Sequence, residues 1–146
     1  MHSILVVDDE PSIREFLQIM LAREGYEVSC AEDGREAITL FEKSSFDVVL
    51  ADIRMPKTSG FEVLNRIKEL SPGTKVIMIT AYASFESAVE SMKEGAYDYI
   101  AKPFNVDEVK RTVSNALQSV RVPEDAVPRK REKGSLEYFE GIVSVS

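Results

Sequence analysis

Four separated apolar runs each end on a residue suited to phosphoryl chemistry. ILVV leads into Asp8 and Asp9, VVLA into Asp52, VIMI into Thr80 and YIA into Lys102. One aspartate after such a run reads as a helix cap or turn residue. Three together do not, because two unit charges about 4 Å apart repel by roughly 4 kcal/mol at an effective dielectric of 20, and three carry a penalty on the order of 10 kcal/mol. A divalent cation removes that penalty. All-oxygen donors with room for water suit Mg²⁺ or Mn²⁺, and with one histidine and one cysteine the chain has no cluster for zinc.

If Asp8 and Asp9 hold the cation, Asp52 is left to attack phosphorus as a nucleophile. Its context, FDVVLADIRMPKTSG, ends the most apolar run and enters a proline-containing loop whose backbone groups can ligate metal or phosphate. Lys102 offers a compact cation for a phosphate oxygen, and Thr80 a rotatable hydroxyl. The Lys102–Pro103 bond is predicted to be cis, since a tight turn at a strand end can meet the Xaa-Pro penalty of about 1 kcal/mol.

The elements that must bring these residues together follow from periodicity. Strand-length apolar runs recur at 4–7, 28–31, 48–51, 76–79 and 99–101, with amphipathic stretches between them. Ile13, Phe16, Leu17, Met20 and Leu21 mark a first helix ending near Gly25; Ala37, Ile38 and Phe41 mark a second; Val63, Leu64, Ile67 and Leu70 mark a third before Pro72-Gly73. The fourth helix, 84–94, has a thin apolar set (Phe85, Ala88, Val89, Met92) and is expected to be weakly anchored. A fifth begins at the capping sequence Asn105-Val106-Asp107-Glu108 and is expected to close near Arg121. Nearly continuous apolar strands joined by helical crossovers predict an α/β fold, a parallel sheet covered by helices on both faces. In such sheets ligands bind beyond the carboxyl ends of the strands, where the acidic residues lie.

A formal charge of −7 argues against general attraction to nucleic acid or an anionic membrane. With no signal-peptide pattern and no apolar run near the ~20 residues that span a bilayer, the chain is expected to be cytoplasmic. Cys30 is expected to act as a small apolar core residue. His2, near the N-terminus, is given no role, and RKREK in the segment after Arg121 reads as a solvated tether.

Asp8-Asp9, Asp52 followed by Met55-Pro56 and Gly60, Thr80-Ala81 and Lys102-Pro103-Phe104 together resemble the receiver domain of bacterial two-component response regulators, from Ile4 to about Arg121. The resemblance implies a flavodoxin-like sheet of order 2-1-3-4-5 with five helices. It also implies that Asp52 accepts phosphate from a sensor histidine kinase, with Mg²⁺ held by Asp9, Asp52 and the Arg54 backbone carbonyl, and Asp8 assisting. Thr80 and Tyr99 would act as the switch, altering the face of helix 4, strand 5 and helix 5. ITAYASFESAVESMKEGAYDYIAKPF is most similar to receivers of the nitrogen-regulator C subfamily, whose next domain is a sigma-54-activating AAA+ ATPase. The expected organisation is a receiver over 1–121 and, over 122–146, a linker with the start of that ATPase domain. FEGIVSVS resembles the ATPase opening but carries Ser144 where the family has glycine, and no Walker A loop follows. ATP hydrolysis and direct DNA binding are therefore expected to lie outside this chain, in further domains of a full-length protein. A homodimer through helix 4, strand 5, helix 5 and the linker is expected.

Two rivals share parts of the pattern. A Mg²⁺-dependent aspartyl-nucleophile phosphatase needs a D-x-D spacing, but Glu10 lies two beyond Asp8 and Pro11 two beyond Asp9. A flavin-binding module needs a phosphate-cradling turn after strand 1, where this chain has acids. The chain is expected to be a phosphoacceptor that assists its own phosphorylation and dephosphorylation, not an enzyme acting on a separate substrate.

Overall fold

The computed structural model describes residues 2–55 and 57–118. Five strands, β1 (Ser3–Val7), β2 (Glu27–Ala31), β3 (Val48–Asp52), β4 (Lys75–Thr80) and β5 (Asp98–Ala101), alternate with five helices, α1 (Pro11–Arg23), α2 (Gly34–Lys43), α3 (Gly60–Leu70), α4 (Phe85–Lys93) and α5 (Val106–Gln118). All pairings are parallel, in the flavodoxin-like order β2-β1-β3-β4-β5. The expected fold is the observed one.

Successive strand residues point to opposite faces, so each strand feeds two cores. Ile4, Val6, Val48, Leu50, Ile77 and Ile79 meet Leu17 and Leu21 of α1 and Val109 and Val113 of α5. Leu5, Val7, Val49, Ala51, Val76 and Met78 meet Ala37 and Phe41 of α2 and Val63, Leu64 and Ile67 of α3. β3 is buried along its whole length, from the apolar run VVLA to Asp52. Its register places Val7 beside Ala51 and Asp52 beside Ile79, so β1, β3 and β4 end at nearly the same level.

Helix ends follow local chemistry. Gly25 takes a left-handed φ of 93° after α1, and Asn105 Oδ1 accepts from Glu108 N–H at 2.6 Å at the start of α5. The predicted approach of α5 to Arg121, and the linker and ATPase-like segment 122–146, lie outside the described residues. The Lys102–Pro103 bond is cis. Among the described residues no helix is long and apolar enough to cross a membrane.

The sets at helical spacing are not wholly buried. Phe16 and Leu70, members of the α1 and α3 sets, are 44% and 42% exposed. Phe16 sits at the rim of α1, where its ring packs beside Phe104 with centroids 6.2 Å apart. On α4 the apolar set does not face inward: Phe85 (83% exposed), Val89 and Met92 face solvent, and Ser91 is the buried residue of the helix. A serine is tolerated there because its hydroxyl donates to Ser87 O at 2.8 Å. α4 therefore buries no apolar side chain, which fits weak anchoring. Cys30 is half-buried against the α1–α5 core.

Candidate functional site

β1, β3 and β4 deliver their terminal residues to one edge of the sheet, and the β5–α5 turn brings Lys102 to the same place. One carboxylate oxygen from each of Asp8, Asp9 and Asp52 falls in a group whose members all lie within 4.8 Å of one another. Asp8 and Asp52 are buried and Asp9 is exposed. The group opens into a cleft of about 740 Å³ lined in part by Asp9, Asp52, Arg54, Met55, Ser59 and Lys102.

The oxygens are not equally free. Asp8 Oδ1 accepts from Glu10 N–H at 2.9 Å and its Oδ2 from Lys102 Nζ at 2.9 Å, so both are engaged. The Asp8 backbone carbonyl is tied to Arg14 Nη1 at 2.7 Å. Asp52 Oδ1 accepts from Arg54 N–H at 3.2 Å and Oδ2 from Lys102 Nζ at 3.2 Å. Asp9, facing the cleft, is the carboxylate best placed to meet an incoming cation.

Burial pushes the Asp52 carboxyl above the usual range, and the neighbouring Asp8 charge adds to this; Lys102 and the Arg54 N–H oppose them without prevailing. Burial alone would lower the Lys102 ammonium, but its hydrogen bond to Asp8 and the charges of Asp8 and Asp52 drive it upward. The lysine is held charged while the acids around it remain in excess. One ammonium cannot neutralise three carboxylates, and an oxygen-lined acidic group open on one side fits a hard divalent cation. Asp9 and Asp52 could contribute carboxylate oxygens, the β3–α3 loop backbone at Arg54 lies at the same cleft, and Asp8 stands behind them.

Thr80 is buried and does not line the cleft; its hydroxyl accepts from Tyr82 N–H at 3.0 Å. Tyr99 faces α4, with its hydroxyl 2.5 Å from Ser87 Oγ and accepting from Ser84 N–H at 3.3 Å. Sequence reasoning missed two side-chain contacts. Glu10 is a third partner of Lys102, at 3.2 Å, although its own side chain is largely exposed. Arg54 lies over the Tyr82 ring, 4.2 Å from its centroid, at the edge of the cleft. Glu10's adjacency to the acidic pair was a visible signal; nothing in the spacing of Arg54 and Tyr82 announced their contact.

Comparison with known proteins gives a consistent picture. Residues 4–114 match the family described as response regulator receiver domain. The regulatory protein AtoC of Escherichia coli (strain K12) is 45% identical over 117 residues, which is 80% of this chain and 25% of that protein. The chain thus spans about a quarter of the length of the curated relatives it matches. The response regulator TrrA of Thermotoga maritima, solved with Mg²⁺ and BeF, is 44% identical with a TM-score of 0.73, covering 80% of this chain and all of that one. The beryllofluoride-activated NtrC4 receiver domain dimer is 39% identical with a TM-score of 0.78, covering 82% of this chain and 98% of that one.

Proposed function

The chain belongs to the response regulator receiver domain family, and from that membership we propose that it is a signalling switch in which Asp52 accepts a phosphoryl group from a sensor histidine kinase. An Asp52 carboxylate oxygen forms the bond to phosphorus as the bond from phosphorus to the kinase's histidine nitrogen breaks, and the departing imidazole keeps that electron pair and takes up a proton. The observation that carries this reading is the close group of Asp8, Asp9 and Asp52 oxygens with Lys102 bridging the two buried members.

Mg²⁺, or Mn²⁺, held by Asp9, Asp52 and the Arg54 backbone carbonyl, would offset charge on the transferring phosphoryl oxygens. Asp8 keeps Lys102 charged and anchored. The ammonium then meets one oxygen of the new phosphoryl group, taking over part of the charge that Asp52 carried alone. Thr80 gives up Tyr82 N–H to donate its hydroxyl to another. Modification adds about one negative charge and new acceptor oxygens among donors already in place.

The face most affected would be α4, β5 and α5, where Tyr99 meets α4 and where Phe85, Val89 and Met92 are exposed. That face would form a homodimer; the beryllofluoride-activated NtrC4 receiver domain is itself a dimer. In the full-length protein the output would pass to AAA+ ATPase and DNA-binding domains of a sigma-54-dependent activator. Incubation with acetyl phosphate and Mg²⁺, read by intact mass, tests the central claim. One phosphate should be gained, lost on addition of EDTA from the start and absent in Asp52→Ala; an undiminished gain in Asp52→Ala would refute it.

A further inference from the structure

The loop joining β3 to α3 is held in place by two contacts that leave no room for a Cβ. Where the loop enters α3, a Cβ on Gly60 would stand 2.4 Å from the Asp52 carbonyl oxygen and 2.8 Å from Ile53 Cα. Gly60 N–H also donates to Ile53 O at 2.8 Å, drawing the loop back onto the strand that carries Asp52. The second contact comes from a different element. A Cβ on Gly34, the first residue of α2, would stand 2.5 Å from Thr58 Cγ2, 2.6 Å from Thr58 Cβ and 2.9 Å from Val63 Cγ2.

Real Cβ atoms essentially never approach within 3.0 Å, so an alanine at position 34 must displace something. Val63 Cγ2 is a side-chain end and can rotate away; Thr58 Cβ moves only with its backbone. The need at Gly34 is for space alone, because the left-handed glycines of the described residues are Gly25 and Gly95. Immediately before Thr58, Lys57 has a φ of 74°. A non-glycine residue in that region persists when its surroundings hold it there, and Thr58 seated on Gly34 is such a restraint.

We propose that Gly34 is a positioning residue for the acidic site: its missing Cβ seats Thr58, and this fixes the loop whose Arg54, Met55 and Ser59 line the cleft beside Asp52. Gly34 itself does not line the cleft. The inference deepens the Mg²⁺-dependent reading given above and rests on it for its main readout.

The test compares Gly34→Ala with Gly25→Ala and with the double variant Gly34→Ala/Thr58→Gly, taking Thr58→Gly alone as baseline. Gly25 has a φ of 93° and nothing within 4 Å of the place a Cβ would take, so its alanine variant strains the backbone far from the loop. Mg²⁺ affinity is read by calorimetry on unphosphorylated protein, beside Tm and the amide shifts of residues 53–55 and 57–59 without metal. Gly34→Ala should weaken Mg²⁺ binding about tenfold, the low end of losses from disturbed outer-shell support. The double variant should return to within about twofold of its Thr58→Gly baseline, and Gly25→Ala should lower Tm with affinity unchanged. Wild-type affinity in Gly34→Ala despite a lowered Tm would overturn the proposal, as would a loss the double variant does not relieve. A wild type that binds no Mg²⁺ would sink the proposed function instead, and the metal-free shifts would then decide: displaced in Gly34→Ala they support the seat, unchanged they overturn it.

Discussion

Replacing Asp52 with asparagine should stabilise the metal-free protein, although it removes an ion pair. The attraction of Lys102 at 3.2 Å is worth about 5 kcal/mol at an effective dielectric of 20. Repulsion from Asp8 within 4.8 Å returns about 3.5 kcal/mol, and exposed Asp9 adds about 1–2 more. Attraction and repulsion nearly cancel, leaving the desolvation of a carboxylate whose side chain is 8% exposed. That cost is several kcal/mol for an ion without compensation, and allowing for the Arg54 N–H bond about 1–2 kcal/mol remains. For a chain of this size the variant should gain about 3–8 °C in Tm at pH 7.5 in EDTA, read by differential scanning calorimetry. The sign with pH follows from the raised Asp52 carboxyl. Between its ordinary value of 3.8 and its raised value the native state holds the extra proton, so wild-type stability falls as pH rises through that window. The gap to the variant should therefore be full above the window and close towards pH 4. Mg²⁺ at 100 times its Kd should restore about 2.7 kcal/mol to the wild type and much less to the variant. A lower Tm for Asp52→Asn in EDTA at pH 7.5 would refute this account, because Lys102 would then outweigh burial and the other acids.

Two further outcomes concern groups outside the acidic cluster. Tyr99→Phe removes the hydroxyl that meets Ser87 Oγ and accepts from Ser84 N–H, and leaves the Ser84–Ser87 cap of α4 in place; losing about 1 kcal/mol should speed exchange of the α4 amides about fivefold by hydrogen–deuterium exchange, and unchanged protection would show that Tyr99 does not hold the helix. Burial raises the Cys30 thiol above its ordinary value of 9.0, with Arg14 opposing and Glu36 adding; alkylation by iodoacetamide at pH 8 should run below the rate of a small free thiol and climb as pH passes 9, whereas a rate equal to the free thiol would show the side chain to be accessible and unperturbed.

The strand ends were readable because burial on both faces demands apolar runs, and the runs stop where the sheet stops. Asp8, Asp9, Asp52 and Lys102 therefore stood out by position before any distance was known. Thr80 stood out equally, yet its hydroxyl accepts from Tyr82 N–H, a local hydrogen bond that periodicity cannot express. α4 misled for a related reason. Phe85, Val89 and Met92 recur at helical spacing, but spacing defines a stripe without saying what it faces. β5, only four residues long, pairs with β4 alone and leaves the sheet edge beside α4. Small Ser87, Ala88 and Ser91 fill the contact instead, and the apolar stripe stays outside. The seat of Thr58 on Gly34 lay deeper still, since it joins residues 24 positions apart through the absence of an atom.

Rigidity and looseness are divided between the two sides of the cleft. On the α2–α3 side, Gly60 N–H is drawn onto Ile53 O and Thr58 lies against Gly34 with no space for a Cβ between them. On the β4–α4 side, Tyr82 N–H donates to Thr80 Oγ1, and Ser84 N–H is shared between the Tyr99 hydroxyl and Ser87 Oγ at the cap of α4. Each such bond contributes about 1 kcal/mol, and no buried apolar side chain of α4 reinforces them. Under the proposed function, a phosphoryl group that drew the Thr80 hydroxyl from Tyr82 N–H would loosen the segment next to Tyr99. The added charge would then be relieved on the side that costs least to move, the side on which Phe85, Val89 and Met92 are exposed. The exposed face of α4 is for this reason the element whose population should report the state of Asp52.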